Sequence, residues 1–311
     1  MRKLRHFELT SATETAPSSS HKVDVYRTGS FLLTVIILYS GSMTTLANAA
    51  PLDAEQCLFY ADFEEGVFPK AWKGRYEIKS RDKSLQISND ARSGKYAAQF
   101  TVREGDWVAG GTRSEATFDS DNGEDVEEWV AWSFMIPLDF KDSLLRDKNG
   151  KSNWQTIGQW HVQPDRDKGE TWDTWSGKSS PSIALNYLYL DESDPRVQKM
   201  MHSGKNIPGM GPHLVNRSVI ALSYGIPPKA RALIAIDKGV WNDVKFHIRW
   251  SQGSNGFVEA NFNGKSSQKI RGANMYNAAS HYFKIGMYRS SSISNTNSVL
   301  YDDVCISRSP T

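Results

Sequence analysis

The sequence predicts an all-β protein, an antiparallel β-sandwich of the jelly-roll type. Apolar residues recur at every second position in many short runs, and segments rich in Gly, Ser, Asn and Asp separate these runs. The clearest run is 244–250, in which Val244, Phe246 and Ile248 alternate with charged or polar residues. Numerous short strands, each with one buried face, pack as the two sheets of a sandwich, and helical periodicity is rare in this chain.

The same pattern gives the elements in chain order. The predicted strands are 57–63, 97–102, 113–118, 128–136, 155–161, 183–190, 232–236, 244–250, 257–262, 282–288 and 300–306. A strong hairpin signal, Asn263-Gly264, follows the run 257–262. Three long loops are predicted at 139–153, 163–181 and 191–218, the last with a short helix at 194–201. Loops of this length in a β domain usually line or cover a binding site.

The first 49 residues are predicted to be a secretory signal peptide. Five Lys and Arg residues precede the apolar run 31–39, and Ala47-Asn48-Ala49 provides small residues at a cleavage point before Ala50. The apolar run is too short to span a membrane comfortably, although a retained anchor is the alternative. The mature chain, 50–311, is therefore expected to be one domain that is secreted or periplasmic and has no membrane segment.

Composition limits the class of protein. Removal of the signal peptide takes away five of the 37 Lys and Arg residues and three of the 35 Asp and Glu residues, which leaves 32 of each. A mature chain without formal net charge is not a generally basic nucleic-acid binder. With 39% hydrophobic and 23% charged residues, the chain can bury an ordinary core. We expect a soluble globular monomer.

The two cysteines, Cys57 and Cys305, lie near the two ends of the mature chain. Export would place them in an oxidising compartment, where a disulfide between the first and last strands can persist. Two separate buried thiols are the alternative, because sequence spacing does not show whether the Cα atoms approach each other.

Three predicted strands carry reactive side chains on one face. They are Gln155, Gln159 and His161 on 155–161, Tyr282, Lys284 and Tyr288 on 282–288, and Arg113 and Glu115 on 113–118. A lone strand His is more often structural, and an Arg–Glu pair two residues apart is more often an ion pair on a sheet surface. Their combination on inner faces, where a sandwich needs apolar groups for stability, indicates a functional site.

These motifs resemble those of a known family. Arg-Ser-Glu at 113–115, Gln-Trp-His at 159–161 and Tyr-Phe-Lys-Ile-Gly-Met-Tyr at 282–288 are similar to three motifs of the polysaccharide lyases with a concanavalin-like jelly roll. That group includes alginate lyases, heparin lyase I and glucuronan lyases. The resemblance covers about residues 57–306 and implies a lyase that acts on an anionic polysaccharide.

Two departures from the alginate lyase pattern favour the glucuronan and heparin lyase side of the group. The alginate lyase pattern has a second Arg two residues after the Glu, where this chain has Thr117. It continues with Asn-Gln after the last Tyr, where this chain has Arg289-Ser290. The chain also lacks dense basic clusters, which favours an unsulfated polyuronate over a heavily sulfated one.

The chemistry of such a site assigns roles to these residues. Cleavage of a 4-linked uronate by β-elimination needs donors that neutralise the carboxylate, for which Arg113 and Gln159 are suitable. It also needs a base for the C5 proton and an acid for O4, which are roles for His161 and Tyr288. If the C5 proton and O4 lie on the same side of the sugar, one Tyr can take both roles; if they lie on opposite sides, His161 is the base and Tyr288 the acid.

Further residues are predicted to bind substrate or a cation. The predicted substrate-binding residues are Lys284, Glu115, Asn186 and Arg289, with Lys284 at a neighbouring subsite. Five tryptophans either stack on sugar rings or belong to the core, namely Trp107, Trp129, Trp132, Trp172 and Trp175. The chemistry requires no cofactor. A structural Ca²⁺ is expected at Glu64 and Asp302, with an Arg partner for the buried Asp302 as the alternative.

Two other functions fit a sandwich of this kind. A non-catalytic, lectin-like sandwich would bind glycan through the same face but has no need of an acid and a base. A glycoside hydrolase needs two carboxylates that face each other across the cleft, and the inner runs offer only Glu115, which already faces Arg113.

Overall fold

The computed structural model describes residues 54–310 except 67, 69–74, 121, 176–179, 203–207 and 268. The predicted signal peptide, 1–49, lies outside the described residues. The strands are β1 (Phe59–Ala61), β2 (Tyr76–Glu77), β3 (Leu85–Ser88), β4 (Ala97–Val102), β5 (Trp107–Val108), β6 (Gly111–Asp119), β7 (Glu127–Met135), β8 (Gln155–His161), β9 (Ile183–Tyr189), β10 (Ser218–Tyr224), β11 (Lys229–Ile236), β12 (Trp241–Arg249), β13 (Phe257–Phe262), β14 (Lys265–Ser266), β15 (Ile270–Arg271), β16 (Tyr282–Arg289) and β17 (Asn297–Ser307). Two short α-helices accompany them, α1 (Arg81–Ser84) and α2 (Pro195–His202).

The strands form two antiparallel sheets, which confirms the predicted β-sandwich. One sheet has the order β14-β13-β12-β7-β17-β4-β3, with β1 paired to β17 and β15 to β13. The other has the order β11-β10-β9-β8-β16-β6-β2, with β5 paired to β6. The predicted strands 97–102, 155–161 and 257–262 coincide with β4, β8 and β13. The three strands that carry the reactive side chains, β8, β16 and β6, are therefore direct neighbours in the second sheet.

The strand β10 is not among the predicted strands because its sequence does not alternate. Its run Ser218–Tyr224 is continuously apolar at its centre, and both of its faces are covered. Ile220 and Leu222 belong to the sandwich core, whereas Val219 packs in a second cluster with Val197 of α2. A strand buried on both faces loses the period-two signal that identifies a half-exposed strand.

The sandwich core orients the three central strands of the second sheet. Phe283, Ile285 and Met287 of β16 are fully buried in the core, and Phe283 lies 5.0 Å from Trp132 of the opposite sheet, centroid to centroid. Burial of each such side chain contributes about 1.5–3 kcal/mol. Because successive residues of a strand point to opposite faces, this packing directs the alternate residues of β16, including Tyr288, to the outer face of the second sheet.

A disulfide joins Cys57 to Cys305, with Cα atoms 5.5 Å apart, which confirms the predicted pairing. It links residues 248 positions apart, beside the register in which β1 pairs with β17. Within the described part of the chain, no helix is long and apolar enough to cross a membrane.

Candidate active site

The register of the central strands arranges the three motifs as one strip of polar residues. Tyr288 pairs with Arg113 of β6 and with Thr156 of β8. Lys284 lies opposite Gln159, and Tyr282 lies opposite His161. The motifs therefore meet on one face of the sheet, and the register fixes which of their side chains are neighbours.

Tyr288 is held between a cation and an indole. Of the eight residues of β16, it alone is not buried. The Arg113 guanidinium carbon lies 3.7 Å from the centre of the phenol ring, and the ring of Trp154 contacts it edge-on with centroids 4.5 Å apart. Gly111 provides the space for the phenol, since a Cβ at this position would lie 2.4 Å from Cε2 and 2.8 Å from the hydroxyl oxygen. The ring is thus fixed while its hydroxyl remains at the surface of the sheet.

A cleft of about 350 Å³ opens beside Tyr288. Its polar lining includes Thr156, Gln159, Asn186 and Ser223. The Thr156 hydroxyl donates a hydrogen bond to Asn186 Oδ1 at 2.9 Å, and Asn186 Nδ2 donates to Ser223 Oγ at 3.1 Å. The structure therefore brings Asn186 and Gln159, both predicted as site residues, into the same cleft as Tyr288.

A bulge in β8 decides which residues reach this cleft. The pairing of β8 with β9 shifts between Thr156 and Gly158, and the pairing with β16 shifts in the same region. One extra residue in a strand interrupts the alternation of side chains. Residues beyond the bulge therefore point to the face opposite to the one that simple alternation predicts. As a result Thr156 and Trp154 line the cleft, whereas Gln155, which simple alternation places with Gln159, is buried and only 1% exposed.

A network of buried ion pairs lies beneath the strip. Arg113 Nη1 donates to Glu77 at 2.7 Å and to Glu115 at 3.1 Å. Lys284 Nζ donates to the same two carboxylates at 2.7 and 3.5 Å, and Gln159 Nε2 donates to Glu115. Burial alone would raise the pKa of Glu77, but the neighbouring Lys284 and Arg113 charges hold it below its ordinary value. Two cations and two anions leave the network without net charge.

This network corrects two of the predicted substrate-binding residues. Lys284 is 1% exposed and Glu115 2% exposed, and both use their charges on each other and on Glu77 and Arg113. Neither side chain is among the described residues that line the cleft, and each uses its charge within the network. Strand alternation identifies the face on which a residue lies but not whether neighbouring side chains cover it.

Arg289 also fails to reach the cleft. It follows Tyr288 in β16, so it projects to the opposite face, and it is 1% exposed. Its three guanidinium nitrogens have no hydrogen-bond partner among the described residues, and burial lowers the pKa of Arg289 to about 10. Its burial and its absence from the described lining of the cleft argue against the prediction that Arg289 binds substrate.

His161 lies at the far end of the strip. Its Nδ1 is 2.7 Å from the Val162 carbonyl oxygen, and its ring stacks on Tyr282 with centroids 5.3 Å apart. Burial lowers the pKa of His161 to about 4 and raises the pKa of Tyr282 well above its ordinary value, so both rings are neutral near neutral pH. Because Tyr282 pairs with His161 and Tyr288 follows six residues later, His161 and Tyr288 are separated by about 20 Å at the strand rise. The predicted acid and base are not brought together.

The carboxylates predicted to bind calcium hold a backbone turn. Glu64 Oε1 accepts hydrogen bonds from the amides of residues 95 and 96, at 2.8 and 2.9 Å. Asp302 Oδ2 accepts from the amides of residues 92 and 93, at 2.9 and 3.2 Å. Within the described residues, no group of three or more His, Cys, Asp or Glu side chains is arranged to hold a metal ion. Oxygens of the Glu64 and Asp302 carboxylates therefore accept from the amide donors of this turn.

Several residues of the site carry only a weak sequence signal. Glu77 lies in the two-residue strand β2, which is too short to show a period. Trp154 and Gly111 stand at strand ends, where the alternation does not extend. Gly111, two residues before the Arg of the first motif, is the one feature that points to a close approach at this position.

The β-sandwich fold and the strip of polar residues formed by the three motifs are those of a carbohydrate-active enzyme. The sequence model of the family described as "Polysaccharide lyase" matches residues 63–305. The chain therefore belongs to this family, and it is a polysaccharide lyase. Among curated proteins, none matches the chain.

Solved structures share the fold at low sequence identity. The endo-β-1,4-glucuronan lyase from the fungus Trichoderma reesei is 15% identical, with a TM-score of 0.53 over 81% of this chain and 95% of that one. The alginate lyase Aly36B is 12% identical, with a TM-score of 0.50 over 80% and 96%. The catalytic domain of a glycoside hydrolase family 131 protein from Coprinopsis cinerea is 11% identical, with a TM-score of 0.52 over 82% and 96%. A hydrolase shares the fold, so the substrate must be argued from the site.

Proposed function

We propose that this lyase cleaves an unsulfated, 4-linked polyuronate of the glucuronan type by syn β-elimination, with Tyr288 as both base and acid. One observation carries the proposal. Of the described residues that line the cleft, only Tyr288 has a side chain that can give and take a proton, and His161 lies about 20 Å away along the strip.

The proposed reaction uses one phenol for two proton transfers. The Tyr288 phenolate takes the C5 proton, and the electron pair left at C5 passes into the carboxylate as an enolate. Collapse of the enolate forms the C4–C5 double bond as the C4–O4 bond breaks, and the phenol gives its proton to O4. The phenolate is restored, and the product carries an unsaturated uronate end. The Arg113 guanidinium against the ring stabilises the negative charge on the phenolic oxygen.

The amides of the cleft are suited to the carboxylate of the sugar. Gln159 Nε2 uses one N–H on Glu115, and Asn186 Nδ2 uses one N–H on Ser223. A side-chain amide has two N–H donors, so each retains one, and both side chains line the cleft even though Gln159 is only 1% exposed. Donors of this kind stabilise the charge that develops on the carboxylate as the enolate forms. In this proposal Gln159 and Asn186 take the neutralising role, while Arg113 acts mainly on Tyr288.

The use of a single tyrosine limits the sugar. In glucuronate and mannuronate the C5 proton and O4 lie on the same side of the ring, so one group can reach both. In guluronate and iduronate they lie on opposite sides, and a second group is needed across the ring. The cleft offers none among its described residues. The neutral ion-pair network and the absence of net charge in the mature chain also favour an unsulfated polymer.

The described part of the cleft does not provide the carboxylates that a glycoside hydrolase mechanism needs. Such a mechanism needs a pair of Asp or Glu side chains on either side of the scissile bond. The described residues that line the cleft include no Asp or Glu, and the two carboxylates beneath the strip, Glu77 and Glu115, are buried and paired with Arg113 and Lys284. This favours the lyase chemistry over hydrolysis on the shared fold.

We also propose that the protein acts outside the cytoplasm. The Cys57–Cys305 disulfide supports this, since such bonds persist in oxidising compartments. N-terminal sequencing of the exported protein should begin at Ala50, and a start at Met1 would contradict the proposed processing.

A substrate panel tests the proposed function. The purified protein is incubated with glucuronan, polymannuronate, polyguluronate, hyaluronan and heparin, and the ultraviolet absorbance of the unsaturated product is followed. We expect product from glucuronan or polymannuronate and little from polyguluronate or heparin. Product from polyguluronate or heparin alone would contradict the syn mechanism, and no product from any polymer would contradict the choice of polyuronates.

A further inference from the structure

A second group of side chains, of which Trp172 and Arg75 are exposed, lies at the end of the strip opposite to Tyr288. It consists of Trp172, His161, Tyr282 and Arg75, which we call the distal cluster. The Trp172 ring is 45% exposed and meets His161 edge-on with centroids 5.9 Å apart. An exposed indole beside polar groups offers an apolar face on which a sugar ring can stack.

His161 presents a hydrogen-bond acceptor. The Val162 carbonyl, 2.7 Å from Nδ1, can only accept, so the ring hydrogen of the neutral imidazole is on Nδ1, and the Tyr282 hydroxyl oxygen, 3.1 Å from the same nitrogen, then accepts from it as well. The lone pair is then on Nε2, for which the described residues provide no hydrogen-bond partner. A neutral imidazole in this tautomer accepts a hydrogen bond from a sugar hydroxyl.

Arg75 supplies a positive charge that is only partly compensated. Its side chain is 55% exposed, and its Nε lies 3.6 Å from Glu77 Oε1. Glu77 is already bound at 2.7 Å by both Arg113 and Lys284. The Arg75 guanidinium also lies over the Tyr282 ring, 5.0 Å from its centre, which keeps it above the strip. An exposed guanidinium in this position suits a carboxylate.

We propose that the distal cluster binds a second uronate of the same polymer, several sugar residues away from the bond that is cleaved. Trp172 stacks on the sugar ring, His161 Nε2 accepts from a hydroxyl, and Arg75 binds the carboxylate. The inference deepens the proposed function, because it assigns His161 to binding and not to chemistry. It implies that the strip from Tyr288 to His161 holds one continuous chain, so cleavage occurs within the polymer.

Kinetics with substrates of two lengths tests the distal cluster. Initial rates are measured on glucuronan and on the shortest glucuronan oligosaccharide that the protein cleaves, for Trp172→Ala, Arg75→Gln and His161→Gln. We expect KM for the polymer to rise about tenfold while kcat stays within about twofold, the pattern for loss of binding that is equal in the ground and transition states. KM for the short oligosaccharide should not change.

Matched controls lie on the outer face of the other sheet. Trp129 stacks on His247 with centroids 4.1 Å apart, and Arg249 pairs with Asp125 at 3.0 Å. Trp129→Ala and Arg249→Gln should leave both kinetic constants unchanged. A fall in kcat for His161→Gln on both substrates would overturn the inference, because it would place His161 in the chemistry. Equal effects in the control and distal variants would also overturn it.

A binding measurement separates failure of the inference from failure of the proposed reaction. Migration in gels that contain glucuronan reports affinity whether or not the polymer is cleaved. If no polymer is cleaved but Trp172→Ala and Arg75→Gln weaken retention while the controls do not, the distal cluster stands and the reaction is wrong. If all variants are retained like the parent protein, the distal cluster is wrong.

Discussion

His161 and Tyr288 lie on neighbouring strands and face the same side of the sheet, yet about 20 Å separates them along those strands. Sugar atoms C5 and O4 belong to adjacent carbons of one ring, so these two side chains do not act on the same residue. Thr156, not a histidine, lies across from Tyr288. In the proposed mechanism this separation leaves both the base and the acid role to Tyr288, and His161 is proposed to bind a more distant part of the polymer.

Gly111 is expected to be essential for the position of Tyr288. In Gly111→Ala the new Cβ would lie 2.4 Å from Cε2 of the phenol, so the ring must move. A displacement of about 1 Å at a reacting group costs on the order of 100-fold in rate. We expect kcat to fall by about that factor with the melting temperature nearly unchanged. The control is Gly123→Ala, where no atom lies within 4 Å of the added carbon; equal activity in the two variants would refute this role.

The buried network is expected to stabilise the fold rather than bind substrate. Lys284→Met leaves Glu77 and Glu115 with one cation fewer in a buried site, which should lower the free energy of unfolding by about 3–5 kcal/mol. The exposed pair of Arg217 and Asp237 is the control, and Arg217→Met should cost less than about 1 kcal/mol. Urea unfolding measures both values. A Lys284→Met protein with unchanged stability and a raised KM would instead indicate that Lys284 binds substrate.

The disulfide is expected to contribute about 4 kcal/mol or more in the chain-entropy description, because it closes a loop of 248 positions. Denaturant unfolding of the double variant Cys57→Ser, Cys305→Ser, compared with the parent protein, measures this contribution. A reductant should destabilise the parent protein and leave the double variant unchanged. Two free thiols in the unreduced, denatured protein would show that the bond does not form.

Stability is expected to fall on the acid side because of His281. This residue is fully buried, stacks on Trp250 at 4.4 Å, and has no hydrogen-bond partner for either ring nitrogen among the described residues. Burial lowers the pKa of His281 to about 3 from an ordinary value of 6.5. Below pH 6.5 the unfolded chain binds a proton that the folded chain does not, so stability falls as the pH falls until the folded pKa is reached.

A single variant isolates this effect. Linkage predicts a loss of about 2 kcal/mol from His281 between pH 7 and pH 5. In His281→Phe, which keeps an aromatic ring against Trp250, the free energy of unfolding should fall by about that much less over the same range. Urea unfolding at the two pH values gives the comparison, and an identical fall in both proteins would mean that His281 is already charged in the folded state.

The sequence was sufficient to predict most strands and the face of the sheet on which a side chain lies. It was not sufficient to predict how deeply that side chain is buried or how the strands pair. Half-buried strands such as β12 show a clear period of two, whereas β10 lacks it because both of its faces are covered. Alternation correctly put Lys284 and Tyr288 on one face, yet one is enclosed by Glu77 and Glu115 and the other is partly exposed. Pairing between strands distant in sequence has no local signal. The distance from His161 to Tyr288 and the bulge in β8 therefore became visible only in the structure.

The central claim is that the phenolic oxygen of Tyr288 carries the proton transfers. Tyr288→Phe keeps the ring between Arg113 and Trp154, and the hydroxyl has no hydrogen-bond partner in the described part of the chain, so the fold should be unaffected. The most direct measurement is kcat of this variant on the cleaved polyuronate, with polymer affinity measured alongside. The account predicts a fall of about 1,000-fold or more in kcat and an affinity within about threefold of the parent protein, the pattern of a group that acts only in the transition state. A Tyr288→Phe protein that retains most of its turnover would contradict the account.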